Sequence, residues 1–199
     1  MKIVLNKEKI ILNKQLTPLD EILIKFISVL DKCKIDYVIV SGYIAILFGR
    51  SRSSEDIDII IKKIPYSHFI EFWQEMEKKF ECIITEKPGD AYKLYLRKKT
   101  SLRFALKRKY IPNIELKFYK NDVEKWALKN RKKVILNNKT IFISPLELQI
   151  PFKLFLGSEK DIEDARYLYT LFKKDIDFKL LKLFNQKFKI GHLFTMFIK

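Results

Sequence analysis

Cysteine and histidine are scarce, with two of each in 199 residues. Cys33 and Cys82 lie far apart and fit no Cys-x-x-Cys spacing, which argues against a disulfide scaffold and a thiolate metal site. His68 and His192 are too few and too scattered for a zinc centre. His68, at the start of a helical stretch, reads as a surface residue. Only 5 glycines and 6 prolines exclude a loop-rich or low-complexity chain. No run of about 18 apolar residues occurs, and the N-terminus has no signal-peptide core. A soluble cytoplasmic protein with buried, reduced cysteines and no membrane partner is expected.

What is present sets the scale. With 48% hydrophobic and 14% aromatic residues, the chain can build a substantial core. Its length suits one large domain, or one domain with a small helical appendage. The net charge of +16 attracts polyanions, of which the RNA or DNA backbone is the commonest. Most of the basic residues are lysines, beside abundant isoleucine and little alanine, a bias that an AT-rich genome also produces. Arginine would be the more telling residue, because its planar fork binds phosphate bidentately.

Local patterns lay out the chain. "KIVLNKEKIILNK" reads as an N-terminal hairpin. Thr17-Pro18-Leu19-Asp20 opens a helix running to about Lys32, with Leu19, Ile22, Leu23, Phe26, Ile27 and Leu30 on its buried stripe. "DYVIVSG" is a strand ending in glycine, and "YIAILFG" one or two helical turns closed by Gly49. "EDIDIIIKK" is a strand, and "YSHFIEFWQEMEKKF" an amphipathic helix after Pro65. "ECIITE", "AYKLYLRKK" and "SLRFALKRK" are candidate strands, with breaks at Pro88-Gly89 and near Thr100-Ser101. "NIELKFYK" alternates as a strand, a short helix covers Val123 to Lys129, and "KKVILNNKTIFIS" is a hairpin turning at Asn137-Asn138. The remainder is helical, with starts at Ser144-Pro145-Leu146-Glu147 and Ser158-Glu159-Lys160-Asp161. In the basic, aromatic tail "FKLLKLFNQKFKIGHLFTMFIK" the helical spacing points first to packing, then to membrane or RNA contact. A boundary near Ser144 divides a mixed part, 1–143, from a helical part, 144–199.

The chemistry concentrates in "SGYIAILFGRSRSSEDIDIII", residues 41–61. In a strand, residues i and i+2 share a face, about 6.6 Å apart. Asp56 and Asp58 therefore point one way while Ile57, Ile59 and Ile61 point into the core. Two carboxylates that close repel, and one would stay protonated unless a cation intervenes. Magnesium, a hard ion that takes oxygen ligands and accompanies phosphates, suits the pair. A solvated strand face would also explain a bare Asp-x-Asp. Upstream, however, Ser41-Gly42 turns a strand into a helix whose free N–H groups can face phosphate. A phosphate cradle followed by a metal-binding pair is what nucleoside triphosphate chemistry needs.

This arrangement resembles the nucleotidyltransferases of the DNA polymerase beta superfamily, most of all small prokaryotic members of abortive-infection and toxin–antitoxin systems. Their pattern is a strand, Gly-Gly or Gly-Ser, a short helix, then R-x-S/T-x-D-h-D with h apolar. Here it reads Ser41-Gly42, then Arg52-Ser53-Ser54-Glu55-Asp56-Ile57-Asp58, with Ser41 in place of the first glycine. "SPLELQIPFKLFLGSEKDIEDARYLYTL" resembles the family's helical segment through Pro145, Glu147, Lys153-Leu154 and Lys160-Asp161-Ile162-Glu163-Asp164. Pro151 is a departure that should kink it. The matching stretch spans about residues 37 to 172.

The resemblance implies an α/β (α+β) nucleotidyltransferase-like mixed sheet flanked by helices, with the helical C-terminal part closing over a cleft. It implies transfer of a nucleoside monophosphate from a nucleoside triphosphate (NTP) to an acceptor hydroxyl. Asp56, Asp58 and a third carboxylate, Glu115, would be the catalytic and metal-binding residues, holding two Mg²⁺ ions. Ser41, Gly42, Arg52, Ser54 and Lys153 would bind the nucleotide. An exposed Glu115–Lys117 strand face is the alternative for Glu115. Asp161 and Asp164, three apart on one helical face, are expected to hold structure by pairing with Lys160 or Arg166. Arg50 is equally a solvated loop charge or a phosphate contact. The basic, aromatic stretches "LRFALKRKY" and "LKNRKK" favour RNA, such as a tRNA end, as acceptor. A protein hydroxyl is another acceptor that fits. The rival readings are a non-catalytic RNA-binding module of the same fold and a toxin–antitoxin interaction protein that meets an antitoxin partner.

Overall fold

A computed structural model of the chain describes residues 2–5 and 9–198. The turn of the N-terminal hairpin, residues 6–8, lies outside the described residues. Its strands β1 (Lys2–Leu5) and β2 (Lys9–Asn13) pair antiparallel as expected.

Helix α1 (Pro18–Lys32) is started by a capping box. The Asp20 N–H donates to Thr17 Oγ1 at 3.3 Å and the Thr17 N–H to Asp20 Oδ2 at 2.7 Å. Asp20 is fully buried and also accepts from Tyr43 Oη at 2.6 Å and from Lys14 Nζ at 2.9 Å. Burial pushes its carboxyl up, but the bonds from Tyr43, Thr17 and Lys14 outweigh burial and hold it below its ordinary value. The same contact ties α1 to the short helix α2 (Tyr43–Leu47). Thr17→Ala is expected to lower the unfolding free energy by about 1 kcal/mol, read as a shift in the denaturant midpoint.

The sequence then gives β3 (Tyr37–Val40), β4 (Asp56–Ile61), α3 (Tyr66–Met76) and β5 (Phe80–Cys82). The stretch 91–99 departs from expectation. Helix α4 (Pro88–Asp90) starts at the Pro88-Gly89 pair where a break was expected. It continues as a π-helical turn, Ala91–Tyr95, and a 3₁₀ turn, Leu96–Lys98. Alternating Tyr, Lys and Leu imitate a strand, but Ala91, Tyr92, Tyr95 and Leu96 form the apolar side of a helical turn and pack on the core. Leu94 is left 50% exposed. Proline is also well placed in a first helical turn. His68 departs too: it is half-buried, with Nε2 2.6 Å from the Cys33 carbonyl oxygen. Cys33 and Cys82 are free thiols and half-buried rather than buried.

β6 (Leu102–Leu106), β7 (Asn113–Phe118), α5 (Asp122–Lys129), β8 (Lys132–Leu136) and β9 (Lys139–Ile143) follow. The β8–β9 turn puts Asn137 and Asn138 at φ 44° and 69°, the left-handed pair that a tight hairpin needs. The described strands form one mixed sheet in the order β1-β2-β8-β9-β3-β4-β7-β6-β5. β4 runs parallel to β7 and antiparallel to β3, and β6 runs antiparallel to β7.

One sheet face carries Ile39, Ile57, Ile59, Ile61, Ile114, Leu116 and Phe104 and packs under α1 and α3. Phe26 of α1 meets the rings of Phe72, Phe80 and Phe104 at 6.2, 5.4 and 5.7 Å. On the other face, Leu128 of α5 covers Val38 and Ile60. The rest is helical, as expected: α6 (Leu146–Leu156), α7 (Glu159–Phe172), α8 (Phe178–Lys187) and α9 (Gly191–Phe197). α6 continues through Pro151. α7 docks on α2, where Phe48 and Phe172 lie 4.7 Å apart edge to face and Tyr167 Oη donates to the Phe48 carbonyl at 2.9 Å. No described helix is long and apolar enough to cross a membrane.

Candidate active site

Strand register builds the site. On the face opposite the isoleucines, Val40, Asp58, Glu115 and Arg103 form one row across β3, β4, β7 and β6. Asp56 and Asn113 form the next row. Neighbouring strands are about 4.8 Å apart, so the three acids Asp56, Asp58 and Glu115 crowd one patch of sheet. Asp58 registers the crowding: burial first, then Glu115, then Asp56, push its carboxyl up to about 6, while Lys117 and the Ser41 side chain pull partly back. Asp56 is braced from the loop before β4, Ser54 Oγ donating to Asp56 Oδ1 at 3.1 Å. Arg103 Nη2 meets Glu115 Oε1 at 2.5 Å, and Lys117 Nζ turns to Glu124 at 3.0 Å.

Beside this row the chain leaves β3 through Ser41, at φ 65°, into Gly42 and α2. A non-glycine residue in left-handed backbone costs roughly 1–2 kcal/mol, and Ser41 is fixed there by contacts. Its carbonyl accepts from Gln149 Nε2 at 3.0 Å, and its side chain lies near enough to Asp58 to favour the carboxylate. Gly42 is needed for a close approach: a Cβ there would come 2.9 Å from Arg52 Nη1 and 3.1 Å from Arg52 Cζ.

The cations named from sequence converge at the same place, and a buried acid holds them. Asp164, 0% exposed, binds Arg50 Nη1 through Oδ1, and Arg52 Nη1 and Lys153 Nζ through Oδ2, the lysine at 3.0 Å. Lys153, only 2% exposed, also meets Asp161 Oδ1 at 2.6 Å. Arg50 Nη2 pairs with Glu163. The partners expected for Asp161 and Asp164, Lys160 and Arg166, are therefore not the ones used. The tertiary fold brings Lys153, Arg52 and Arg50 to these acids across more than one element. Burial pushes the Asp161 carboxyl up, but bonds from Lys153 and Ser158 outweigh it and leave it lowered. Arg52 Nε is buried and has no hydrogen-bond partner among the described residues.

Beside Asp58 lies a cavity of about 140 Å³, lined on its apolar side by Val40, Ile60, Val123, Leu148 and Phe152. Several of the surrounding residues escape sequence reading. Asn113 falls opposite Asp56 only through the register, and its Oδ1 is buried without a partner. Arg103, Gln149 and Phe152 belong to β6 and α6, whose placement depends on loop lengths and packing. Asp164 had a signal, the Lys-Asp-x-x-Asp run, which names the hub without its partners.

The donor chemistry can be tested against a divalent ion. Asp56 and Asp58 offer hard carboxylate oxygens on one face, and burial with two neighbouring carboxylates raises Asp58 more than Lys117 lowers it. The unpartnered Asn113 Oδ1 adds an oxygen in the row of Asp56. Among the described residues, no three His, Cys, Asp or Glu side chains gather closely enough to form a metal site. The pair fits a hard cation such as Mg²⁺, and Glu115 beside it is paired through Oε1 with Arg103.

No protein-family model and no curated protein matches the chain. Solved structures do. An antigenic nucleotidyltransferase-like protein from Paracoccidioides brasiliensis is 18% identical with a TM-score of 0.55, over 90% of this chain and 93% of that one. ANT(2″)-Ia in complex with adenylyl-2″-tobramycin is 13% identical with a TM-score of 0.56, over 88% of this chain and 99% of that one. A solution structure of the antibiotic-resistance factor ANT(2″)-Ia is 9% identical with a TM-score of 0.51, over 90% of this chain and 97% of that one. At these identities the likeness shows the fold: a nucleotidyltransferase-like mixed sheet flanked by helices.

Proposed function

We propose that the protein is a metal-dependent nucleotidyltransferase that moves a nucleoside monophosphate from an NTP to a hydroxyl on RNA. A tRNA end is the acceptor that suits its charge best, and action as the toxin of a toxin–antitoxin pair is the role we favour. The observation that carries the reading is the Asp56–Asp58–Glu115 patch lying beside the Ser41-Gly42 turn, with Arg52 and Lys153 on the same side as the turn.

In the reaction the acceptor oxygen bonds to the α-phosphorus, the bond from that phosphorus to the bridging oxygen breaks, and pyrophosphate leaves. The acceptor proton passes to a carboxylate or to water. Asp56 and Asp58, with Glu115 once free of Arg103, would hold Mg²⁺, which when bound neutralises phosphate charge and makes the acceptor hydroxyl more acidic. Ser41 and Gly42 let the backbone approach the β and γ phosphates. Arg52 and Lys153 are held in place before substrate arrives, so stabilising the transition-state charge needs little reorganisation. The cavity beside Asp58 offers an apolar wall and Phe152 to the nucleoside.

Gly42→Ala tests the cradle. The added methyl presses on the Arg52 guanidinium that Asp164 holds, so folding should lose about 1–3 kcal/mol while NTP affinity falls about tenfold. Thermal melts and a nucleotide titration read the two effects. The reaction itself is tested by pyrophosphate release from each of the four NTPs with Mg²⁺ and total cellular RNA. Release is expected with wild type and not with Asp56→Ala/Asp58→Ala. Equal release by both would sink the reading. One observation favours a second reading, a non-catalytic RNA-binding module: Glu115 is held by Arg103 and Arg52 by Asp164. RNA binding without pyrophosphate release from any NTP would establish that alternative.

A further inference from the structure

We infer that the acceptor strand is gripped by Arg103 of β6 and the β6–β7 loop, with Arg103, Lys107, Arg108 and Lys109 on its phosphates and Tyr110 against a base. The inference rests on the transferase reading and adds where the acceptor enters. Displacement at phosphorus is in line, so acceptor and pyrophosphate occupy opposite sides of the α-phosphorus. The phosphate turn Ser41-Gly42 follows β3, on one side of Asp58, and Glu115 and then Arg103 lie on the other. The acceptor must therefore arrive over β7 and β6.

The surface there suits a nucleic-acid strand. Residues 107–111 are all exposed, Tyr110 by 74%, and Arg103 beside Glu115 is 51% exposed. Among the described residues, Lys107, Arg108 and Lys109 make no ion pair. The loop backbone is nevertheless fixed. Lys107 N donates to the Lys79 carbonyl at 3.2 Å, Arg108 N to Glu81 Oε1 at 3.0 Å and Lys109 N to the Leu106 carbonyl at 2.9 Å. Asn113 N donates to the Glu55 carbonyl at 2.8 Å, joining the loop's end to the residue before Asp56. A rigid loop with unpaired cations and an exposed ring offers charge to phosphates and a stacking face to a base. Arg103, in the row of Glu115, links that surface to the carboxylates, and a phosphate can compete with Glu115 for it, which frees Glu115.

The test is equilibrium binding of a fluorescent single-stranded RNA, with DNA of the same sequence as a second probe. RNA binding is read in the Asp56→Ala/Asp58→Ala background so that nothing turns over, and NTP affinity and transfer are read with Asp56 and Asp58 intact. Lys107→Ala/Arg108→Ala/Lys109→Ala should weaken RNA binding at least tenfold and flatten the slope of log affinity against log salt by about 2, at about 0.7 per lost contact. NTP affinity should stay within twofold. Lys179→Ala/Lys182→Ala/Lys187→Ala, an equal loss of charge on α8, should do much less. RNA binding unchanged by the loop variant, or lost equally in the α8 variant, overturns the inference. So does a loop that captures an acidic protein while RNA affinity is unaffected, or one that grips DNA in preference to RNA. Loop-dependent RNA binding with no transfer from any NTP sinks the transferase reading and leaves the surface standing. Transfer to RNA at wild-type KM by the loop variant does the reverse.

Discussion

Asp164→Ala should destabilise the fold by about 3–5 kcal/mol, the cost of leaving buried charge uncompensated. Asp164 is fully buried and receives Arg50, Arg52 and Lys153. Without it Arg50 keeps Glu163 and Lys153 keeps Asp161, but Arg52 loses its one ion-pair partner among the described residues. The hub also joins α7 and α6 to the loop before β4, so the loss reaches three segments at once. Asp164→Asn keeps the shape and removes the charge, and should lose nearly as much. Adding Arg52→Ala should recover part of the loss, since it removes a stranded cation. Urea denaturation of the single and double variants measures the coupling. A loss under about 1 kcal/mol for Asp164→Ala would show that the cations find solvent instead.

Asp58→Asn should move stability and activity in opposite directions. In the metal-free protein the folded-state carboxyl is raised to about 6 by burial, Glu115 and Asp56. Between about pH 4 and 6 the folded state therefore holds a proton that the unfolded state has released. Wild-type stability falls as pH rises through that window, by roughly 2–3 kcal/mol in all. Asparagine has no proton to lose, so the variant should match wild type near pH 4 and exceed it by that amount at pH 7.5. Denaturation with chelator at both pH values checks the difference. Transfer activity should fall at least about 10²–10³-fold. A variant no more stable than wild type at pH 7.5 would mean that Asp58 is compensated in the folded protein.

Much of the fold was legible because local chemistry and tertiary need agree. Thr17-Pro18-Leu19-Asp20 caps α1 as read, Asn137-Asn138 turns the β8–β9 hairpin, and Asp-Ile-Asp-Ile-Ile-Ile alternates as β4. The stretch 91–99 failed because its lysines and tyrosines imitate period two, while the side buried on the core is helical. Of the site, the shared face of Asp56 and Asp58 follows from strand periodicity, and their reading as metal ligands from the upstream Ser41-Gly42 turn and the family resemblance. Their neighbourhood does not. Asp58 faces Glu115 through the β4–β7 register, and Arg103 faces Glu115 through β6–β7, both set by loops whose length carries no register signal. The Lys-Asp-x-x-Asp run names acids without saying that Arg50 and Arg52, 114 and 112 residues from Asp164, will meet them.

The central claim, that Asp56 and Asp58 serve transfer of a nucleoside monophosphate to RNA, is tested most directly with paired labels. Wild type and Asp56→Ala/Asp58→Ala are incubated with total RNA, Mg²⁺ and each NTP labelled at either the α or the γ phosphate. The account predicts label in RNA from the α position only, with wild type only. Label arriving from the γ position, or in equal amount with the double variant, would contradict it.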